Sequence, residues 1–336
     1  MNKVIVIYGN PGSVDITLEE VLTEWQKISL LPDVTYELRH FDSFPTPEVF
    51  SAAMDKDVTA ILGAWITDGL FNQAFYDSHP RLRYIGGLAH GYQELDWQLS
   101  RDRGIVITNT TYGEHTIAEY AFALLLEICK QPAFCSHHLK TTDWSQKAHK
   151  YMRAPVRQLE LYQKTFGVVG LGSIGFHAAR IAQAFGMRVV AYNRSPKSGA
   201  EFDFLEQLPL DEVLAQSDVV SLHVALNDQT RGLISREAIA RMKDGAILIN
   251  TARGALVDED ALADALRSGK LTAAGLDVLT NEPPKADNPL LPLENALITP
   301  HIAWMPKTCR MRQISMAIDN YAAFLRGSPV SVINRR

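Results

Sequence analysis

Short apolar runs alternate with amphipathic stretches along the first third of the chain. Val4 to Tyr8, Val34 to Leu38, Val58 to Gly63, Leu82 to Gly86 and Ile105 to Thr108 read as buried strands, and the helical patterns between them predict a parallel α/β sheet. From about Thr116 to Lys130, Ala118, Ala121, Phe122, Leu125 and Leu126 recur at helical spacing, a stripe expected to face a core or a domain interface. Between Gln131 and Leu161 the periodicity fades and aromatic, basic and proline residues mix, so a loop-rich connection is expected there. Further strands are predicted near Phe166, Val219, Ile247, Ala274 and Leu297. A last long helix runs from Thr308 to Leu325 and stops before Gly327.

A chain of 336 residues exceeds one typical core and suits two domains. The formal net charge of -5, with no dense block of Lys or Arg, leaves no electrostatic footprint for nucleic acid. No apolar run approaches the length needed to span a bilayer, so no membrane partner is expected. Cys129, Cys135 and Cys309 match neither a zinc clip nor a disulfide framework, and neither a metal nor a bridge is expected. The opening MNKVIVIYGN suits a first strand and is too short for a signal peptide, which makes a cytoplasmic location the expectation.

Residues 164–194 read as strand, glycine turn, amphipathic helix and strand, with GLGSIG (Gly170, Leu171, Gly172, Ser173, Ile174, Gly175) at the turn. In that context Gly170 permits the tight turn, Gly172 lets backbone approach a pyrophosphate and Gly175 allows close helix packing. The second strand ends in Tyr192, Asn193, Arg194, Ser195 and then Lys197, without the carboxylate that usually meets the ribose hydroxyls of NAD. Arg194 and Ser195 are suited to a 2′-phosphate, which predicts NADP(H) over NAD(H). The alternative is that Arg194 and Lys197 are solvated loop charges.

Three more residues stand where predicted strands run out: Arg253 in ILINTARGALVDE, Glu282 in GLDVLTNEPP and His301 in NALITPHIAW. Reducing a 2-oxo acid requires a fixed cation for the carboxylate and a proton for the developing alkoxide. Arginine supplies the first as a planar fork of donors. Histidine supplies the second, and a carboxylate on its other ring nitrogen holds the ring and favours the imidazolium. Singly, each has an ordinary explanation, as a solvated arginine, a loop carboxylate and one of ten histidines. Their coincidence at strand ends, where doubly wound sheets place ligands, points to hydride transfer.

With these motifs assembled, the sequence from about Leu82 to Asn334 resembles the D-isomer-specific 2-hydroxyacid dehydrogenase family, most closely its glycerate dehydrogenase and hydroxypyruvate (glyoxylate) reductase branch. The resemblance implies an α/β fold of two doubly wound parallel-sheet domains. A Rossmann nucleotide-binding domain, residues 109–301, would be inserted in a flavodoxin-like substrate domain, residues 1–108 and 302–336. It also implies a homodimer formed through the nucleotide domain and a small 2-oxo or 2-hydroxy acid as substrate. Because His301 lies just before the last helix, the chain is expected to cross back to the first domain there, leaving a cleft between the domains for that acid. By the same resemblance Arg253 binds substrate, His301 is the acid/base and Glu282 supports it. Thr116, His223, Thr230, Thr251, Ala252, Asp277 and Ala303 would line the cofactor site. Backbone amides of the loop Leu88 to Tyr92, including Ala89, His90 and Gly91, would meet the substrate carboxylate. That loop reads GLAHGYQELDW where this branch tends to be Asn-rich, so His90, Gln93 and Glu94 are departures. Trp65, His90, Tyr92 or Trp304 is expected to shape the pocket, with packing at the domain junction the alternative for Tyr92 and Trp304. The expectation is an NAD(P)H-dependent reductase of a small 2-oxo acid; the alternative is a nucleotide-sensing, corepressor-like binding protein on the same fold.

Overall fold

A computed structural model describes residues 2–64, 66, 69–89, 91, 97–141 and 157–334. Trp65, His90, Tyr92, Gln93 and Glu94 lie outside the described residues. The chain divides into two compact units, Met1–Gly113 with Trp304–Arg336, and Glu114–Ala303.

The first unit is built on strands β1 (Asn2–Tyr8), β2 (Val34–His40), β3 (Ala60–Gly63), β4 (Tyr84–Gly87) and β5 (Val106–Thr108). They pair in parallel in the order β2-β1-β3-β4-β5, the flavodoxin-like doubly wound order. Successive side chains of a strand point to opposite faces, and here both faces are covered. Ile5, Ile7, Ile61 and Ile85 enter one apolar core with Phe50, Phe71 and Phe75, whereas Val4, Val6, Leu62 and Tyr84 enter another. Helices α1 (Leu18–Gln26), α2 (Pro47–Ala52), α3 (Gln73–Ser78) and α4 (Trp97–Asp102) connect the strands. The C-terminal helix, Lys307–Leu325, returns to this unit and lays Ile314, Ala317, Ile318 and Tyr321 on the second core. Beyond it, Asn334 accepts from Ile107 N at 3.0 Å and donates to Ile105 O at 2.7 Å, pinning the edge strand β5.

The second unit carries α5 (Glu114–Lys130), α6 (Pro132–Thr141), β6 (Thr165–Val169), α7 (Ser173–Ala184), β7 (Arg188–Tyr192), β8 (Glu206–Gln207), α8 (Leu210–Gln216) and β9 (Val219–Leu222). It continues with α9 (Arg236–Arg241), β10 (Ala246–Asn250), α10 (Glu259–Ser268), β11 (Leu271–Leu276) and β12 (Ala296–Ile298). Among the described residues its sheet is parallel throughout, in the order β12-β11-β10-β9-β6-β7-β8. The order reverses between β6 and β9, the topological switch point at which open α/β sheets bind ligands. Apolar side chains of α5 and α7, among them Ala118, Phe122, Leu125 and Ala178, fill the core on one face. Those of α8, α9 and α10 fill the other.

The connection after Gln131 differs from its expected loop-rich character. Pro132–Thr141 is a helix, started by a proline at its first position, where the missing N–H costs nothing. None of its residues is buried, so it has no apolar stripe for periodicity to reveal. Residues 142–156 lie outside the described set. Among the described residues no helix is long and apolar enough to cross a membrane, and no group of three or more His, Cys, Asp or Glu is placed to hold a metal ion.

Candidate active site

The glycine turn joins β6 to α7 at the switch point. Gly170 has φ of +103°, and a β-carbon there would lie 2.8 Å from the His223 carbonyl oxygen. One on Gly175 would lie 1.9 Å from the Gly170 carbonyl oxygen, so α7 approaches the turn only because that position lacks a side chain. Gly172 differs: its φ is -74° and a β-carbon there would meet nothing within 4 Å. Packing within the protein does not explain that glycine, whereas close approach of a ligand does. Gly172 caps α7 without any side-chain hydrogen bond, so the first N–H groups of the helix, from Ser173 and Ile174 on, are available to an anion.

A cleft of about 500 Å³ opens over this turn. Gly170, Gly172, Asn193, Arg194, Ser195, His223 and Thr230 all line it, together with Val224 and with Asn227 and Gln229, which no sequence motif marks. Asn193 shapes the rim: its Oδ1 accepts from Leu171 N at 3.0 Å and its Nδ2 donates to Ser195 O at 2.6 Å. Asn227 folds the opposite side by accepting from Gln229 N and Thr230 N, and Thr230 Oγ1 donates to Ala225 O at 2.7 Å. Among the described residues no Asp or Glu lines the cleft. The side chains of Arg194 and Lys197 are exposed on its rim and make no hydrogen bond or ion pair with the described residues. His223 pairs with Ser221 Oγ at 2.9 Å, and desolvation pushes its imidazole down to about 4, although part of the residue still reaches solvent. It is therefore neutral at working pH.

Beyond the cleft, three loops leave the carboxyl ends of β10, β11 and β12. Asn250, buried at the end of β10, accepts from Ala252 N at 3.0 Å and donates to Arg253 O at 2.9 Å, which closes the turn that presents Arg253. Thr251 is buried there with an Oγ1 that has no partner among the described residues. With Gly172 and the uncapped helix start, this unpaired hydroxyl makes the surface fit a nucleotide with polar groups of its own. Thr116 is buried in the first turn of α5 and does not line the cleft.

Asp277 follows β11 and is buried, with three donors on its carboxylate. Oδ1 accepts from Thr299 Oγ1 at 2.7 Å and Ile302 N at 2.9 Å, and Oδ2 accepts from Ala303 N at 2.8 Å. Desolvation raises its pKa above the ordinary carboxylate value against the pull of those donors. In this structure Asp277 and Ala303 thus brace the turn that carries His301. His301 itself has φ of +54°, a left-handed conformation uncommon for a residue with a side chain, held by its N–H on Asp277 O at 2.8 Å.

His301 Nδ1 lies 2.7 Å from Glu282 Oε2, and Glu282 Oε1 accepts from Leu279 N at 3.0 Å. Desolvation alone would raise the Glu282 carboxyl. The hydrogen bond and charge of His301, the Leu279 N–H and the charge of Arg253 outweigh it and hold the group below the ordinary range. The carboxylate is thus kept ionised beside an imidazole, with a guanidinium in electrostatic reach. Asp277, Glu282 and His301 also share a cavity of about 430 Å³ walled by Leu279, Pro283 and Ile298. In the first unit, Ala89 and Gly91 follow β4, and the preceding Leu88 carbonyl is fixed by Gln313 Nε2 at 2.6 Å and Thr110 Oγ1 at 2.5 Å.

Known proteins resemble this chain in sequence and in fold. The sequence profile for the NAD binding domain of D-isomer specific 2-hydroxyacid dehydrogenases matches residues 122–303. A hydroxypyruvate reductase of Blautia hydrogenotrophica is 37% identical over 99% of this chain and 100% of its own length. A glyoxylate reductase of Korarchaeum cryptofilum is 37% identical over 83% of this chain and 84% of its own. The crystal structure of a glyoxylate reductase from Paecilomyes thermophila superposes with a TM-score of 0.81 at 29% identity, covering 99% of this chain and 98% of that one. The chain belongs to the D-isomer specific 2-hydroxyacid dehydrogenase family and is an oxidoreductase that acts on a CH–OH donor with a nicotinamide cofactor.

Proposed function

We propose that this enzyme reduces a small 2-oxo acid of the glyoxylate or hydroxypyruvate kind to its D-2-hydroxy acid, with NADPH preferred over NADH. The observation that carries the reading is the 2.7 Å contact of His301 Nδ1 with the ionised Glu282, in electrostatic reach of Arg253. When bound, the reduced nicotinamide supplies a hydride to carbon C2 of the acid. Arg253 holds the carboxylate of the acid and polarises its carbonyl with a planar fork of donors. As the carbonyl electron pair moves onto oxygen, His301 gives that oxygen a proton from Nε2, because Nδ1 is committed to Glu282. Glu282 stays ionised throughout, orients the ring and balances its charge before transfer. The neutral imidazole then recovers a proton from solvent.

Supporting the substrate class are the hydroxypyruvate and glyoxylate reductases at 37% identity. For the cofactor, a cleft whose described lining holds no carboxylate and carries Arg194, Ser195 and Lys197 on its rim favours a 2′-phosphate. A homodimer through the second unit and a cytoplasmic setting complete the reading.

The test follows loss of reduced-nicotinamide absorbance with glyoxylate, hydroxypyruvate, pyruvate and a bulky 2-oxo acid, each with NADPH and NADH. Fast NADPH oxidation with the small acids is expected. His301→Ala should lower turnover by about 10²- to 10⁴-fold while NADPH affinity holds. Full turnover in that variant removes His301 from the chemistry, and an NADH preference overturns the cofactor assignment alone.

A further inference from the structure

Arg253, Glu282 and His301 ride on three separate loops, and the short segment Leu279-Thr280 after β11 ties them together. Leu279 N–H donates to Glu282 Oε1, whose other oxygen receives His301. The same segment lies against Gly254, the neighbour of Arg253, so closely that a β-carbon there would come within 1.9 Å of the Leu279 carbonyl carbon. The next N–H, of Thr280, donates to Glu259 Oε1 at 2.6 Å, and Glu259 Oε2 accepts from Asn288 Nδ2 at 2.7 Å. Glu259 is the first residue of α10, directly behind its cap Asp258, so its backbone is set by the helix. Asn288 is buried and accepts in turn from Leu290 N at 3.0 Å. One carboxylate therefore clamps both ends of the loop 280–288, and Glu282 lies inside that loop.

We propose that Glu259 is a positioning residue for the reaction, acting through Thr280 and Asn288 to hold Glu282, and with it His301, in register. The proposal rests on the roles assigned above to those two residues. Both donors meet an anionic acceptor, which makes their contacts shorter and stronger than neutral ones. An amide of the same shape offers a single oxygen and turns its NH₂ toward a donor, so Glu259→Gln releases one end of the loop while keeping the volume.

The experiment compares Glu259→Gln, Glu282→Gln and the double variant of the full chain, measuring kcat and KM with hydroxypyruvate and NADPH and the pH profile of kcat/KM. Glu259→Gln should lower kcat by about 10- to 100-fold, the penalty for roughly 1 Å of misplacement, with KM for NADPH unchanged. Its pH profile should move in the same direction as that of Glu282→Gln. The double variant should be no slower than Glu282→Gln alone, because Glu259 acts through Glu282. Losses that multiply in the double variant, or parental kcat and profile in Glu259→Gln, overturn the proposal. Should Glu259→Gln not fold, Asn288→Asp replaces a donor with an acceptor facing the Glu259 carboxylate, and the same outcomes decide. Parental turnover in His301→Ala would instead remove the reading beneath the proposal, which keeps the two failures apart.

Discussion

Two glycines three positions apart have opposite reasons to be glycine. At Gly175 a β-carbon would collide with the Gly170 carbonyl oxygen, whereas at Gly172 it would meet open space. Gly175→Ala should therefore destabilise the fold by about 1–3 kcal/mol as α7 is forced off the turn. Gly172→Ala should melt like the parent and lose affinity for the nicotinamide nucleotide. Thermal melts with titration of NADPH into both variants check this; equal cofactor affinity in Gly172→Ala and parent would mean that no ligand approaches that position. Arg253, Glu282 and His301 were legible in the sequence because their side chains are the types the chemistry requires. Glu259 was not, because it acts on a backbone N–H twenty-one residues away that only the folded loops bring near. Asn250 was not, because it closes a local turn with neighbours two and three residues on and carries no chemistry of its own. Asn227 is a local turn residue of the same kind, bonded to Gln229 N and Thr230 N.

At the scale of elements, the turn after β12 depends on a residue from the neighbouring strand. Thr299, Ile302 and Ala303 all donate to Asp277, across a gap of more than twenty residues in sequence. Asp277→Ala leaves these donors without their acceptor, at about 1–3 kcal/mol for each one that stays buried and unpaired. Denaturant unfolding should show that loss, and kcat should fall with it because His301 is no longer held in its left-handed conformation. Parental stability in this variant would mean that water or another group takes over the three contacts. The strands of both sheets were readable because parallel strands covered on both faces are continuous apolar runs. Helix α6 was not, since it buries nothing, and β8 is a two-residue edge strand, Glu206–Gln207, with no apolar run to announce it.

Across the whole molecule, the desolvated His223 couples stability to pH. Above about 6.5, its ordinary value, the imidazole is neutral in both the native and the unfolded chain and contributes no slope. Between that value and about 4, the unfolded chain binds a proton that the native state refuses, so stability falls as pH falls. His223→Gln should flatten this part of a plot of denaturation midpoint against pH; an unchanged slope would assign it to other groups.

The tail that closes the first unit bears on how the protein is made. Met1–Gly113 leaves the ribosome before Trp304–Arg336, but the apolar face formed by Val4, Val6, Leu62 and Tyr84 is covered by Ile314, Ala317, Ile318 and Tyr321. Roughly 190 residues separate the two parts, a delay of about 10–40 s at ~5–20 residues per second. The second unit is continuous, with its own cores, and can fold during that interval. The first unit is thus begun before the second and completed after it, and its bare face is the nascent chain's exposure to chaperones and to aggregation.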